Sequence, residues 1–165
     1  VGGKVRVYSR KLEDVTHALP ELVEELREIP HDVILDGEAV CWIEGRPAPF
    51  QYLMRRFRRK HGIETMAEEY PAKFFAFDIL YLDGRVLVDE PYEARREALV
   101  SAVPEGERVA VAESFSRVTT AEARELFRRA LDLGYEGLMI KSLRSPYEPG
   151  KISRWTFGNS GWTPS

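Results

Sequence analysis

From residue 33 to 43 the chain reads VILDGEAVCWI. In an extended backbone alternate side chains share a face, so Ile34, Asp36, Glu38 and Val40 point one way and Val33, Leu35, Gly37 and Ala39 the other. Two carboxylates then look out from one face of an otherwise apolar strand. A second strand, KFFAFDILYL at 73–82, puts Phe75, Phe77, Ile79 and Tyr81 on one face and Ala76 and Asp78 on the other. Asp83-Gly84 closes it as a hairpin, with RVLVD returning. KVRVYS at 4–9, RVAVAESFSRV at 108–118 and GLMIKS at 137–142 also read as strands. Between them the apolar period becomes helical. Leu22, Val23, Leu26 and Ile29 form one stripe behind Pro20, and Phe50, Leu53, Met54 and Phe57 form another, which leaves the arginines of that segment on the remaining faces. YEARREALVSAV at 92–103 is a further helix. Thr119 and Glu122 form a capping box for a helix that Gly134 ends. Helices interspersed among hairpins and strands predict an α+β fold with largely antiparallel sheets.

Composition narrows the picture only slightly. At 165 residues, with 44% hydrophobic and 31% charged positions, the chain can bury one real core or two small lobes. No apolar run approaches the roughly 20 residues that cross a bilayer, and no signal peptide opens the chain. Cys41 is the single cysteine, which rules out an internal disulfide and suits a reducing compartment; within AVCWI it reads as a small core residue. A net charge of -3 argues against a protein that coats itself with nucleic acid, yet residues 55–60 read RRFRRK. Gln51 and Asn159 are the only side-chain amides beside abundant Glu and Arg, a bias associated with hot environments. The chain begins at Val1, and its last fourteen residues, ISRWTFGNSGWTPS, contain no acid and two of the three tryptophans. The expectation is a piece of a longer protein, with a partial domain at 1–151 and an atypical tail at 152–165.

Three apolar segments carry misplaced polar groups: ILDGEAV, FFAFDILYLDG and YEGLMIK. Acids as close as Asp36 and Glu38 repel unless a cation, donors or water receive them. The choice is between a solvated edge and a ligand face. Phe77 is either core or a platform for a flat base. In YEGLMIK, strict alternation separates Glu136 from Lys141, unless Glu136 lies in the turn that Gly134 and Gly137 permit. Lys141 is either a surface lysine at a strand end or the partner of a buried anion.

The order of the blocks is more specific than any one of them. YSRKLEDVTHALPEL, ILDGEAV, PFQYLMRRFRRK, FFAFDILYLDG, YEGLMIK and SPYEPGK succeed one another over residues 1 to about 151. In this the chain resembles the nucleotidyltransferase domain of ATP-dependent DNA ligases of the archaeal and eukaryotic replicative kind. The resemblance implies a two-sheet cleft of the ligase and mRNA-capping type that uses ATP and Mg2+ to seal nicked double-stranded DNA through lysyl-AMP and DNA-adenylate intermediates. It implies ribose or metal binding by Glu38, adenine stacking by Phe77, metal binding by Glu136 and α-phosphate contact by Lys141. Arg10 would meet a phosphate of the nicked strand or the adenylate, and Asp36 would orient its neighbours. The basic run Arg55, Arg56, Arg58, Arg59 and Lys60 is the candidate DNA contact. The alternative for that run is a solvated helix face paired with Glu64, Glu68 and Glu69.

Two departures set limits. The family's nucleophile lies in Lys-x-Asp-Gly, whereas Asp-Gly here occurs only at 36–37 and 83–84, with Ile34 and Tyr81 two places before. After SPYEPGK the family continues to a tryptophan and a Lys-x-Lys pair, whereas here Trp155 is followed by no lysine. The 165-residue chain alone is therefore expected not to self-adenylate and to bind ATP or AMP weakly or not at all; a labelled protein band after incubation with labelled ATP and Mg2+ would refute the first. Competing readings are a non-catalytic nucleic-acid-binding module and a fragment of a capping enzyme or RNA ligase. No membrane partner is expected, the compartment would be cytoplasmic or nuclear, and exposed sheet edges could pair with a second copy.

Overall fold

A computed structural model describes residues 1–149 and the backbone of two short strands beyond them. In chain order the elements are α1 (Pro20–Leu26), β1 (Val33–Ile43), β2 (Arg46–Pro47), α2 (Phe50–Arg58), α3 (Ile63–Glu69), β3 (Ala72–Leu82), β4 (Arg85–Val86), α4 (Tyr92–Ala102), β5 (Val109–Val111), α5 (Thr120–Asp132), β6 (Trp155–Gly158) and β7 (Gly161–Pro164). The expected change of character after residue 151 concerns side chains outside the described residues.

β1 and β3, eleven residues each, run antiparallel along most of their length and form the axis of a five-stranded sheet. β2 extends β1, and β4 and β5 flank β3, β5 in parallel. Both hairpins use two-residue turns with positive φ at each central residue: Glu44 (52°) with Gly45 (75°), and Asp83 (44°) with Gly84 (92°). Such turns match the twist of the strands they join. β6 and β7 form a separate antiparallel pair.

One face of the sheet is covered. Cys41 and Ala72 pack with Leu19 and Leu22 of the α1 region and Leu53 of α2, while Ala76 and Ile79 pack with Leu99 and Ala102 of α4 and Val109 of β5. Cys41 is thus the core residue expected, and burial pushes its thiol up. Pro20 opens α1, and Thr119 and Glu122 form the reciprocal capping box of α5, which ends before Gly134 at φ 92°.

Other expectations are corrected. KVRVYS forms only an isolated bridge, Tyr8 to Asp14; strand 108–118 shrinks to three residues; and GLMIKS forms neither strand nor helix. A strand needs a neighbour for its N–H and C=O groups, and these segments find one only in part. α3 carries no strong sequence signal. Its Met66 is buried, and its C-cap residue Tyr70 supplies a carbonyl to the network around Arg56.

Arg56 is the largest correction. It was expected on the DNA-facing side, yet it is 1% exposed. Its guanidinium pairs with Glu21 and donates to the carbonyls of Ala18 (2.7 Å) and Tyr70 (3.0 Å), while Glu21 also accepts from the Ala72 N–H (2.9 Å). Arg56 follows Leu53 by three residues, so the helix turns it into the same core. A buried cation persists only with such a set of partners.

Candidate functional site

The face of β1 and β3 turned away from the two core clusters carries the polar residues. β1 keeps its alternation, with Val33, Leu35 and Ala39 packed on the core and Ile34 and Glu38 exposed. β3 does not. Gly37 pairs with Ala76 but Asp36 with Asp78, and Leu35 pairs with Ile79 but Ile34 with Tyr81, so Phe77 and Leu80 are extra residues in two bulges. The first bulge turns Ile79 into the core, off the face expected for it, and sets Phe77 and Asp78 on the outer side. The Phe77 ring is half-buried and belongs to neither core cluster.

Glu38 lies opposite Phe75, and Asp36 opposite Asp78. Asp78 is 1% exposed, and Arg95 of α4 grips it with two donors, Nε to Oδ1 at 2.8 Å and Nη2 to Oδ2 at 3.0 Å. The Lys141 amine stands 3.4 Å from Oδ2 and 4.8 Å from the centre of the Tyr92 ring. The Tyr147 hydroxyl donates to Asp36 at 3.0 Å. Burial, with the Asp36 charge second, holds that phenol up at about 12.

The segment carrying these side chains is fastened along its length. Leu143 C=O accepts from Glu93 N–H (2.9 Å), Ser145 C=O from Arg95 (2.9 Å), and Tyr147 N–H donates to Val88 C=O (2.7 Å). At its start Tyr135 packs beside Trp42 and Phe75, whose rings lie 5.5 Å apart with the Lys73 amine above both. Burial, and then the Glu113 charge, raises the Tyr135 phenol. The chain from 135 to 147 therefore crosses the outer face from Trp42 to Asp36. Backbone ties and side-chain anchors, not a strand, bring Lys141 to Asp78, the residue after Phe77.

Glu38 and Glu136 are exposed. Among the described residues no three His, Cys, Asp or Glu groups gather as a metal cage. One or two carboxylates are the donor set Mg2+ takes when phosphate and water fill its other positions, and Glu38 and Glu136 fit that chemistry. Arg10 is exposed in the turn that the Tyr8–Asp14 bridge closes, and no described contact joins it to Phe77 or Lys141. Arg55, Arg58, Arg59 and Lys60 are exposed, with Arg55 over the Tyr52 ring; among the described residues no ion pair ties these arginines to Glu64, Glu68 or Glu69.

Sequence reasoning missed Arg95 and Tyr147. A signal existed for Arg95, which shares the buried stripe of Leu99 and Ala102 where an apolar residue belongs. Tyr147 had none beyond its place in SPYEP.

A family model described as ATP dependent DNA ligase domain matches residues 1–156. The chain is 49% identical over 152 residues to a DNA ligase of Thermococcus fumicolans and 50% identical over 155 residues to one of Methanoculleus marisnigri. These alignments cover 90% and 93% of this chain but 27% and 28% of the relatives, so it spans about a quarter of their length. Among solved structures, the ligase domain of M. tuberculosis LigD superposes with a TM-score of 0.66 at 33% identity, over 90% of this chain and 44% of that one. A mycobacterial DNA ligase D complexed with ATP and MES superposes with a TM-score of 0.64 at 34% identity, over the same shares.

Proposed function

We propose, since this chain belongs to the ATP-dependent DNA ligase family, that the outer face of β1 and β3 receives the AMP part of ATP in a parent enzyme that seals nicks in duplex DNA. The observation that supports this reading most is the Lys141 amine seated at Asp78, on the strand pair that carries Phe77 and Glu38. The Lys141 amine lies beside Asp78, which adjoins the bulged Phe77, and Asp36 across the strand pair is two residues from Glu38. A half-buried ring, an exposed acid and a partly exposed amine on one face suit a flat base, a ribose and a phosphate.

In this reading Phe77 stacks on the base, Glu38 accepts from ribose hydroxyls, and Lys141 donates to a phosphate oxygen. Asp36, held by Tyr147, keeps the β1 side of the face in order. Glu38 and Glu136 are the groups to hold a divalent cation, which when bound neutralises phosphate charge. Without Lys-x-Asp-Gly in its 165 residues, the chain binds nucleotide without becoming adenylated.

The test is AMP binding by calorimetry on the 165-residue chain. One stacking contact or charge-assisted hydrogen bond is worth about 1–3 kcal/mol, so Phe77→Ala, Glu38→Gln and Lys141→Met should each weaken binding by about fivefold to 150-fold. Arg128→Gln, on the exposed side of α5, should not. No binding by the unsubstituted chain, or equal binding by all variants, contradicts the reading.

Arg55, Arg58, Arg59 and Lys60, exposed and unclaimed by the acids of α3, support a phosphate-backbone contact with duplex DNA. Each phosphate neutralised contributes a slope of about 0.9 in log K against log salt. Replacing the three arginines with glutamine should lower affinity and flatten that slope. An unchanged slope would remove this surface from the DNA contact.

A further inference from the structure

Lys141 and Arg95 share one carboxylate, but they hold it on different terms. Asp78 Oδ1 accepts from the Ile79 N–H (2.9 Å) and Arg95 Nε (2.8 Å), and Oδ2 accepts from Arg95 Nη2 (3.0 Å) and Lys141 (3.4 Å). Arg95 is 2% exposed, and its Nη1 is taken by the carbonyls of Glu90 (2.5 Å) and Ser145 (2.9 Å), so four of its five N–H donors are spent inside the fold and its burial turns it away from the open face. Lys141 is 27% exposed and spends a single long contact on Asp78.

The charge balance gives the arrangement its meaning. Asp36 and Asp78 lie opposite each other, so the cluster holds two acids and two cations. With Arg95 present, Asp78 has its counter-ion and Lys141 is the cation of the open face. Were Arg95 absent, Lys141 would become the counter-ion of a buried acid, and the face would repel phosphate. We infer that Arg95 and Asp78 are positioning residues, which together hold the Lys141 amine toward the open face and free its charge for an anion. That the anion is a nucleotide phosphate rests on the function proposed above; the coupling of Arg95 to Lys141 does not.

The test reads acylation of individual lysines by a small amine-reactive ester, followed by mass spectrometry on the full chain without nucleotide. The exposed Lys4 and Lys11 serve as internal references. An amine drawn into an ion pair reacts more slowly, and the worth of a partly exposed pair corresponds to about threefold in rate. Arg95→Met should slow Lys141 by about that factor, and Asp78→Asn/Arg95→Met should speed it by at least as much. Arg95→Lys, which leaves a cation on Asp78, should return the rate toward that of the original chain. A merely structural role for Arg95 loosens the segment and speeds Lys141 in every variant, which would overturn the inference, as would unchanged rates. Should Arg95→Met fail to fold, the double variant and Arg95→Lys still decide, because loosening raises both and positioning raises only the first. Protection of Lys141 by AMP in the original chain bears separately on the nucleotide reading.

Discussion

Asp36 and Arg56 show what a single residue's environment adds to its type. Asp36 read as one of two solvent-facing acids, and it does lie on that face, but its carboxylate accepts from Tyr147, 111 residues away. No local pattern announces such a partner. The consequence is measurable. Burial and the Asp36 charge both hold the Tyr147 proton, raising its pKa to about 12 from the ordinary 10. A raised pKa means that the folded chain binds this proton more tightly than the unfolded chain. The stabilisation is therefore complete below pH of about 10 and is lost as pH climbs toward about 12. Denaturation midpoints taken across the range from about pH 9 to 11 should fall more steeply for the original chain than for Tyr147→Phe; parallel curves would deny the coupling. Arg56 shows the reverse case. Its type suggested a DNA contact, whereas helix phase behind Leu53 sends it into the core and leaves Arg55, Arg58 and Arg59 outside.

Among elements, those specified by local chemistry were legible and those needing a distant partner were not. The α5 capping box, Pro20 at the start of α1 and the Asp83-Gly84 turn each arise within a few residues, and each forms. The alternation of β1 also holds. β3 fails as a simple alternation because two bulges insert Phe77 and Leu80, and bulges follow from pairing that sequence period does not encode. Gly37 marks the place. A Cβ there would run into the Phe75 carbonyl oxygen and lie 2.6 Å from the Phe74 ring, so the strands approach more closely than any side chain permits. Gly37→Ala should destabilise the fold by about 1–3 kcal/mol through overpacking, and should disturb the Glu38–Phe75 register more than the distant α5. Chemical denaturation with amide exchange checks both; exchange unaffected along β1 and β3 would contradict the close approach.

For the molecule as a whole, the order of six separated blocks identified the family, while no block alone placed the site. Glu38 and Phe77 come from neighbouring strands, but Lys141 arrives by a stapled segment whose anchors, Arg95, Val88 and Glu93, lie near α4 and had no assigned part in the sequence reading. In the proposed function, the outer face, lined by acids, rings and an amine, is what the chain contributes to its family's chemistry. The basic end of α2 is a separate surface, and the DNA contact proposed for it can fail without touching the nucleotide proposal. The most direct measurement is a map of backbone amide shifts on the 165-residue chain titrated with AMP. The account predicts saturable changes centred on Glu38, Phe77 and the 138–141 segment, with little movement in α3 or α5. Shifts confined to other regions, or no saturable shift at all, would contradict it.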